Sequence, residues 1–147
     1  MDANRERIVV GVDGSPASVE ALRWANDQAR LTGAPVEAVI AWFYPISYGF
    51  PVIADIDWAR EAEVILSRVV KEAVGDDDAL ISQRAIEGHP TRVLDDLSQE
   101  AAMLVVGPRG HGGFAGLVLG SVTTHVIGHA GCPVVVVRMH ALEARTA

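Results

Sequence analysis

Residues 105–121 read VVGPRGHGGFAGLVLGS, and this stretch decides the predicted fold and the predicted site. Six glycines fall between positions 107 and 120, after a short apolar run and before a helical pattern. Glycines leave main-chain N–H groups uncovered, and such groups at a strand end and a helix N-terminus form an anion site suited to phosphate. The stretch therefore predicts a phosphate-binding loop, with Arg109 as its fixed positive charge and the Ser121 hydroxyl as a further donor.

Outward from this stretch, short β-branched runs alternate with longer helical patterns. This order is typical of an α/β domain whose open parallel sheet is covered by helices on both faces. The third strand contains Ser82, Gln83 and Arg84, so it is predicted to lie half exposed at a sheet edge. Five strands are predicted, over Ile8–Val12, Val36–Trp42, Leu80–Ile86, Met103–Val106 and Val134–Val137.

Four helices are predicted between these strands. Ser15 is placed to cap the first helix, which ends before Gly33. The third opens at Pro90, and the fourth runs from about Ser121 to His129. The second has the clearest amphipathic pattern, a single apolar stripe through Ala62, Ile65, Leu66, Val69, Val70 and Ala73.

The chain has 147 residues, half of them hydrophobic, which predicts one domain over 1–147 with a core from about 7 to 138 and short flexible tails. Its single cysteine, Cys132, excludes an internal disulfide and fits a reducing compartment. No signal-peptide pattern is visible at the start, and no apolar stretch approaches the roughly 20 residues that a membrane span needs. We therefore expect a cytoplasmic protein that does not contact membranes.

The net charge of −7 argues against nucleic acid as a partner, because arginine and lysine are scattered and form no basic stripe. A bound phosphate would have to be held by local N–H groups and helix dipoles, since the overall field repels anions.

Two familiar phosphate-loop patterns do not fit the glycine-rich stretch. A P-loop needs lysine where Gly113 stands. A dinucleotide fingerprint matches Gly110 to Ala115, but that pattern belongs after the first strand, with an acidic residue about 20 positions further on. The spacing that fits is Gly107, two residues, Gly110, nine residues, then Gly120-Ser121.

This G-x2-G-x9-G-[ST] spacing resembles that of the ATP-binding universal stress proteins. The similarity extends to Val10-Gly11-Val12-Asp13-Gly14-Ser15 at the first turn, to Gly88-His89-Pro90 before the third helix, and to the run from Gly131 to Val137. It covers nearly the whole chain, roughly from Arg7 to Arg138.

The resemblance implies a five-stranded parallel sheet in the order 3-2-1-4-5, a Rossmann-like adenine-nucleotide-binding fold that is usually a homodimer. Ligands of open α/β sheets lie where the strand order reverses, beyond the carboxyl ends of the strands. The implied ligand is ATP, with or without Mg2+. The residues implied to contact it are Gly11, Val12, Asp13, Ala41, Trp42, Val106, Gly107, Arg109, Gly110, Gly120, Ser121 and Val122.

Within that set, the resemblance assigns phosphates and ribose to Gly107, Gly110 and Gly120-Ser121. Asp13 would face the nucleoside, and Ala41-Trp42 would flank adenine. Trp42 departs from the family, in which smaller aliphatic residues are common at this position. Its indole could stack on adenine or partly fill the adenine site.

In this order the last strand is a sheet edge, yet it consists of four consecutive valines, Val134 to Val137. A long apolar edge is an aggregation hazard unless it is covered. We therefore expect a homodimer that pairs these strands across a two-fold axis.

The resemblance implies a nucleotide-dependent regulatory protein of the stress response. Beyond Asp13 no general base lines the loop, so no catalytic residue is predicted. Slow ATP hydrolysis is possible. Two alternatives stay open, an adenylating enzyme and a dimeric interaction scaffold with an empty pocket. An adenylating enzyme would usually carry an SGGxDS-like loop after the first strand, and residues 13–18 of this chain lack its double glycine. The sequence identifies neither the preferred nucleotide nor the downstream protein partner.

Simpler interpretations apply to several residues. Asp13 could serve only as a turn residue near a helix start, and the glycine-rich stretch could be a surface connection. His125 and His129 lie four apart on a helix, but without a third ligand they predict solvated surface and no metal site. Trp24 and Trp58 are predicted at the surface or partly in the core.

Overall fold

The computed structural model of the protein describes residues 3–44, 56–109 and 119–139. Within them, five strands and four α-helices alternate after a short 3-10 helix, Ala3–Glu6. The strands are β1 (Ile8–Val12), β2 (Val36–Trp42), β3 (Ile81–Glu87), β4 (Met103–Val106) and β5 (Val134–Val136). The helices are α1 (Pro16–Thr32), α2 (Trp58–Val74), α3 (Pro90–Ser98) and α4 (Ser121–His129).

The strands form one parallel sheet in the order β3-β2-β1-β4-β5. The α/β class and the strand order 3-2-1-4-5 are therefore confirmed. At the centre, Val10 of β1 lies opposite Ala38 of β2 and Val105 of β4. The order reverses between β1 and β4, which makes the carboxyl ends of these two strands neighbours.

Helices cover the sheet on both faces. Successive residues of a strand point to opposite faces, so Val10 joins α1 and α2 in one core cluster and Val9 joins α3 and α4 in another. Leu22 and Leu66 fill the first cluster, and Val126 belongs to the second. As predicted, β1 is buried on both faces.

The first helix begins and ends where the sequence predicts. The Ser15 hydroxyl accepts a hydrogen bond from the Ser18 N–H at 3.3 Å, and this caps the helix. At its other end Gly33 adopts a left-handed conformation with φ 76°, which suits a residue without a Cβ. The predicted stripe of α2 is also confirmed, since four of its members are buried and Ile65 and Ala73 pack against the core cluster.

Small shifts separate the predicted strands from the observed ones. Strand β3 begins one residue later than predicted, at Ile81, although the Leu80 carbonyl still accepts from the Val36 N–H at 2.8 Å. Strand β5 stops at Val136, one residue early, and Val137 N still donates to Val106 O at 2.9 Å. The half-exposed edge position of β3 is confirmed.

None of the helices within the described residues is long and apolar enough to cross a membrane.

Candidate functional site

A cavity of about 980 Å³ opens at the carboxyl ends of β1, β2 and β4, where the strand order reverses. This volume lies near the upper end of the roughly 300–1,000 Å³ that small-molecule sites occupy. The first turns of α1, α2 and α4, which follow these strands, and of α3, which follows β3, complete the wall, so four helix N-termini border the same space.

The structure gathers eleven of the twelve predicted site residues around this cavity. Chain segments that are far apart in sequence meet there, because the Asp13 turn follows β1 and Gly107 follows β4. Gly110 lies outside the described residues. The residues gathered are Gly11, Val12, Asp13, Ala41, Trp42, Val106, Gly107, Arg109, Gly120, Ser121 and Val122. Their role in binding stays a prediction.

The sequence did not predict the contribution of α2 to the wall. Trp58, Glu61, Ala62 and Ile65 all line the cavity. They fall at i, i+3, i+4 and i+7, so extending the apolar stripe of this helix back to Trp58 would have found them. Other wall residues that sequence reasoning missed are Ser15, Ser18, Val39, Ile40, Phe43, Ile56, Pro90, Leu94, Leu119 and Thr123.

The turn between β1 and α1 is held by its own side chains. Asp13 Oδ1 accepts hydrogen bonds from Ser15 N at 2.9 Å and from Ser15 Oγ at 2.5 Å. Gly14, between them, has φ 86°, a left-handed conformation that favours glycine. Asp13 is therefore a turn residue, as its simpler interpretation requires, and it lies in the cavity wall as well.

The helix that follows the glycine-rich stretch begins at the cavity, and its end is uncapped in the sense that no side chain of its N-cap residue accepts a hydrogen bond from it. Gly120 precedes α4 and offers no side chain to cap it. The first N–H groups of a helix have no intrahelical partners, and Ser121, Val122 and Thr123 bring these groups to the wall. The positive end of the helix dipole adds to the attraction for an anion.

Two wall glycines lie where a Cβ would stand close to a neighbouring side chain. A Cβ built at Gly107 would stand 2.9 Å from the Cβ of Ala17, so glycine lets the end of β4 approach the first turn of α1. A Cβ at Gly11 would stand 3.0 Å from Leu94 Cδ1. The sequence-based prediction considered only the access of these glycines to the nucleotide.

Trp42 forms part of the wall and leaves the cavity open. Its ring meets Tyr44 edge-on, with ring centroids 5.5 Å apart, and its carbonyl accepts a hydrogen bond from Gly88 N at 2.7 Å. Beside it, Phe43 stacks on His89 with centroids 5.9 Å apart. The β2 end of the cavity is therefore aromatic.

The formal charge of the described wall is −1, because it contains two carboxylates, Asp13 and Glu61, and one guanidinium, Arg109. Phosphate would therefore depend on main-chain N–H groups, as the sequence predicts. Among residues 3–44, 56–109 and 119–139, no three His, Cys, Asp or Glu side chains come together as a metal site.

The two histidines of α4 make specific side-chain contacts. His125 Nε2 lies 2.6 Å from Asp95 Oδ2, which joins α4 to α3, and its ring stacks on that of His129 with centroids 4.1 Å apart. The prediction of solvated helix surface holds for exposed His129, whereas the His125 side chain is 38% exposed and also contacts Asp95. Cys132 is half-buried, and this burial raises the pKa of its thiol.

Comparisons with known proteins all point to the same family. Residues 4–138 match the model of the universal stress protein family. A universal stress protein from Mycobacterium bovis is 35% identical over 138 residues, which cover 90% of this chain and 44% of that protein. One from Mycolicibacterium smegmatis is 35% identical and covers 88% of this chain and 47% of its own length. The chain spans about half the length of the curated relatives it matches.

Solved structures resemble the fold closely. A universal stress protein in complex with cAMP has a TM-score of 0.69 at 28% identity, covering 90% of this chain and 96% of that one. The universal stress protein from Archaeoglobus fulgidus in complex with dAMP has a TM-score of 0.60 at 28% identity, covering 89% and 96%. UspA from Lactobacillus plantarum reaches 0.74 at 23% identity over 91% and 99%, a likeness of fold alone.

Proposed function

Because this chain belongs to the universal stress protein family, we propose that it binds an adenine nucleotide in the cavity at the carboxyl ends of β1, β2 and β4. The observation that carries the proposal is the convergence of the Asp13 turn, the end of β4 and the uncapped start of α4 on one cavity. Structural relatives in complex with cAMP and with dAMP support the choice of ligand.

The phosphates belong at the start of α4 in this proposal. The N–H groups of Ser121 and Val122, the positive end of the helix dipole and the Ser121 hydroxyl would hold them, with the Gly107 end of β4 beside them and Arg109 as the charged partner. The described wall carries two carboxylates against one guanidinium, so a magnesium ion brought with ATP would reduce the repulsion.

The base belongs at the aromatic end of the cavity. Ala41 and Trp42 end β2 there, and Trp58 faces the same space from α2. Stacking of a base on an aromatic side chain is worth about 1–3 kcal/mol. Asp13, at the end of the neighbouring strand, would face the ribose or the base.

The biological role in this proposal is that of a cytoplasmic homodimer whose bound nucleotide regulates a stress response. The edge position of β5 and its apolar composition support the dimer, since such an edge invites pairing with a second copy. The single cysteine supports the compartment. The proposal assigns no catalytic residue.

The test is direct titration of the purified chain with ATP, AMP and cAMP, each with and without Mg2+, monitored by calorimetry and by intrinsic tryptophan fluorescence, to which Trp42 and Trp58 of the cavity wall contribute with Trp24. We expect saturable binding of one nucleotide per chain and a change in tryptophan emission. Mass spectrometry of ligand extracted from the protein would identify the preferred nucleotide. GTP serves as the control ligand, and failure of every adenine nucleotide to bind would refute the proposal.

A further inference from the structure

A hydrogen bond joins α2 to the turn that carries Asp13. Arg68 Nη2 donates to the carbonyl oxygen of Gly14 at 3.1 Å, between residues 54 apart in sequence. The other amino group of the same guanidinium, Nη1, donates to Glu72 Oε1 at 2.9 Å, one helical turn further on. Glu72 therefore holds the guanidinium from one side while Arg68 holds the turn from the other.

The turn itself needs such a contact. Gly14 has no Cβ and adopts φ 86°, in a region where glycine has wide freedom, so its backbone conformation depends on what the peptide contacts. Asp13 and Ser15 flank it, and both line the cavity. The bonds from Ser15 to Asp13 hold the turn together internally, whereas the bond from Arg68 joins the turn to α2.

We propose that Arg68 is a positioning residue for the nucleotide site: by holding the Gly14 carbonyl it places Asp13 in the cavity wall. This inference rests on the proposed function. The same side of α2 supports it, because Trp58, Glu61 and Ile65 line the cavity and Arg68 continues their spacing at i+10. One helix face thus forms a wall of the cavity and holds the turn at its rim.

A second arginine provides a matched control. Arg23 on α1 donates to Glu72 O at 3.0 Å and to Ala73 O at 3.3 Å, so it also joins α2 to a remote segment through main-chain carbonyls. Arg23 is not among the described residues that line the cavity. Both arginine side chains are about half exposed, at 45% for Arg23 and 49% for Arg68. Their general contributions to stability should therefore be similar, and only Arg68 should affect the site.

The experiment compares the binding of ATP and AMP by Arg68→Ala and by Arg23→Ala, measured by tryptophan fluorescence. Thermal unfolding measures the stability of each variant, so that affinities are compared between variants of similar stability. We expect Arg68→Ala to raise Kd about 3- to 10-fold, since a partly exposed charged hydrogen bond is lost, and Arg23→Ala to change it less than about 2-fold. Arg68→Lys keeps one donor and should recover most of the affinity. Glu72→Gln removes the charge but keeps an oxygen that accepts from Arg68 Nη1, so the guanidinium and its bond to Gly14 stay in place and the variant should bind as the wild type does.

A double-mutant cycle separates positioning from a general effect. If Arg68 acts through the turn, Arg68→Ala combined with Asp13→Ala should bind no more weakly than Asp13→Ala alone. Equal losses in Arg68→Ala and Arg23→Ala, or strictly additive losses in the cycle, would overturn the positioning role while leaving the proposed function intact. If the wild-type chain binds no adenine nucleotide, the proposed function itself fails.

Discussion

The hydroxyl of Thr123 donates a hydrogen bond to the carbonyl oxygen of Gly107 across 2.7 Å. This bond ties the first turn of α4 to the end of β4, and Thr123 is only 4% exposed. Next to it, Gly120 N donates to Pro108 O at 2.7 Å. The end of β4 and the start of α4 therefore lie side by side, so the first turn of α4 stands directly beyond the end of β4.

Thr123→Val should weaken both the fold and nucleotide binding. The methyl group replaces the hydroxyl at equal volume and leaves Gly107 O without that donor, a loss of about 1–3 kcal/mol in the free energy of unfolding. Urea denaturation and ATP titration measure the two effects. Thr123→Ser keeps the donor and should retain binding, and Thr124→Val, at the exposed neighbouring position, is the control. Equal affinities of Thr123→Val and Thr124→Val would contradict the prediction.

Gly107→Ala should destabilise the protein through packing against α1. The new Cβ would stand 2.9 Å from Ala17 Cβ, so the end of β4 must move away from the helix, at a cost of about 1–3 kcal/mol. Ala17→Gly in the same chain removes the opposing methyl group and should restore part of the lost stability in urea denaturation. Gly120 has φ −68° and ψ 166°, which any residue adopts, so Gly120→Ala should cost less. A stable Gly107→Ala protein would show that the contact is relieved at no cost.

Trp42→Val should weaken binding of every adenine nucleotide. The indole lies in the cavity wall at the end of β2, and losing a stacking surface costs about 1–3 kcal/mol, or roughly 5- to 150-fold in Kd. Trp24→Phe is the control, because Trp24 packs against the core cluster of α1 and α2 and is not a described wall residue. Tighter binding by Trp42→Val would mean that the indole obstructs the adenine site.

Glu37→Gln should lower stability and leave nucleotide affinity unchanged. Its carboxylate is buried, pairs with Arg7 and lies 2.9 Å from Arg84 Nη1. Breaking a buried ion pair leaves uncompensated charge and costs about 3–5 kcal/mol, less here because Arg84 is half exposed. Glu37 lies near the amino end of β2, away from the cavity at the carboxyl end. Thermal unfolding and ATP titration test this, with exposed Glu63→Gln as the control.

Val136→Pro should separate the proposed dimer into monomers. Val137 N donates to Val106 O, and alternate N–H groups of a parallel strand point to opposite sides, so Val136 N points to the open edge of the sheet. Proline removes that donor without breaking a bond to β4. Sedimentation at micromolar concentration measures the state, and Val136→Ala, which loses similar packing, should remain dimeric. An unchanged dimer in Val136→Pro would show that pairing does not use this edge.

The elements of this fold were predictable because local sequence specifies them. A serine cap and a left-handed glycine bound α1, and the stripe of α2 predicts its buried face, since these signals act within a few residues. Strand positions came from apolar runs to within one residue. The strand order came from the family resemblance, because periodicity says which face of a strand is buried and not which strand lies beside it.

The wall contributed by α2, the bond from Arg68 to Gly14 and the bond from Thr123 to Gly107 arise only in the folded chain. Each of the two hydrogen bonds joins residues whose separation depends on how helices pack on a twisted sheet, and no local pattern encodes that distance. Sequence alone therefore determined the elements and eleven of the twenty-five described residues around the cavity. Tertiary packing decided which side chains hold those residues in place, because hydrogen bonds form only between groups that the whole fold brings within about 3 Å of each other.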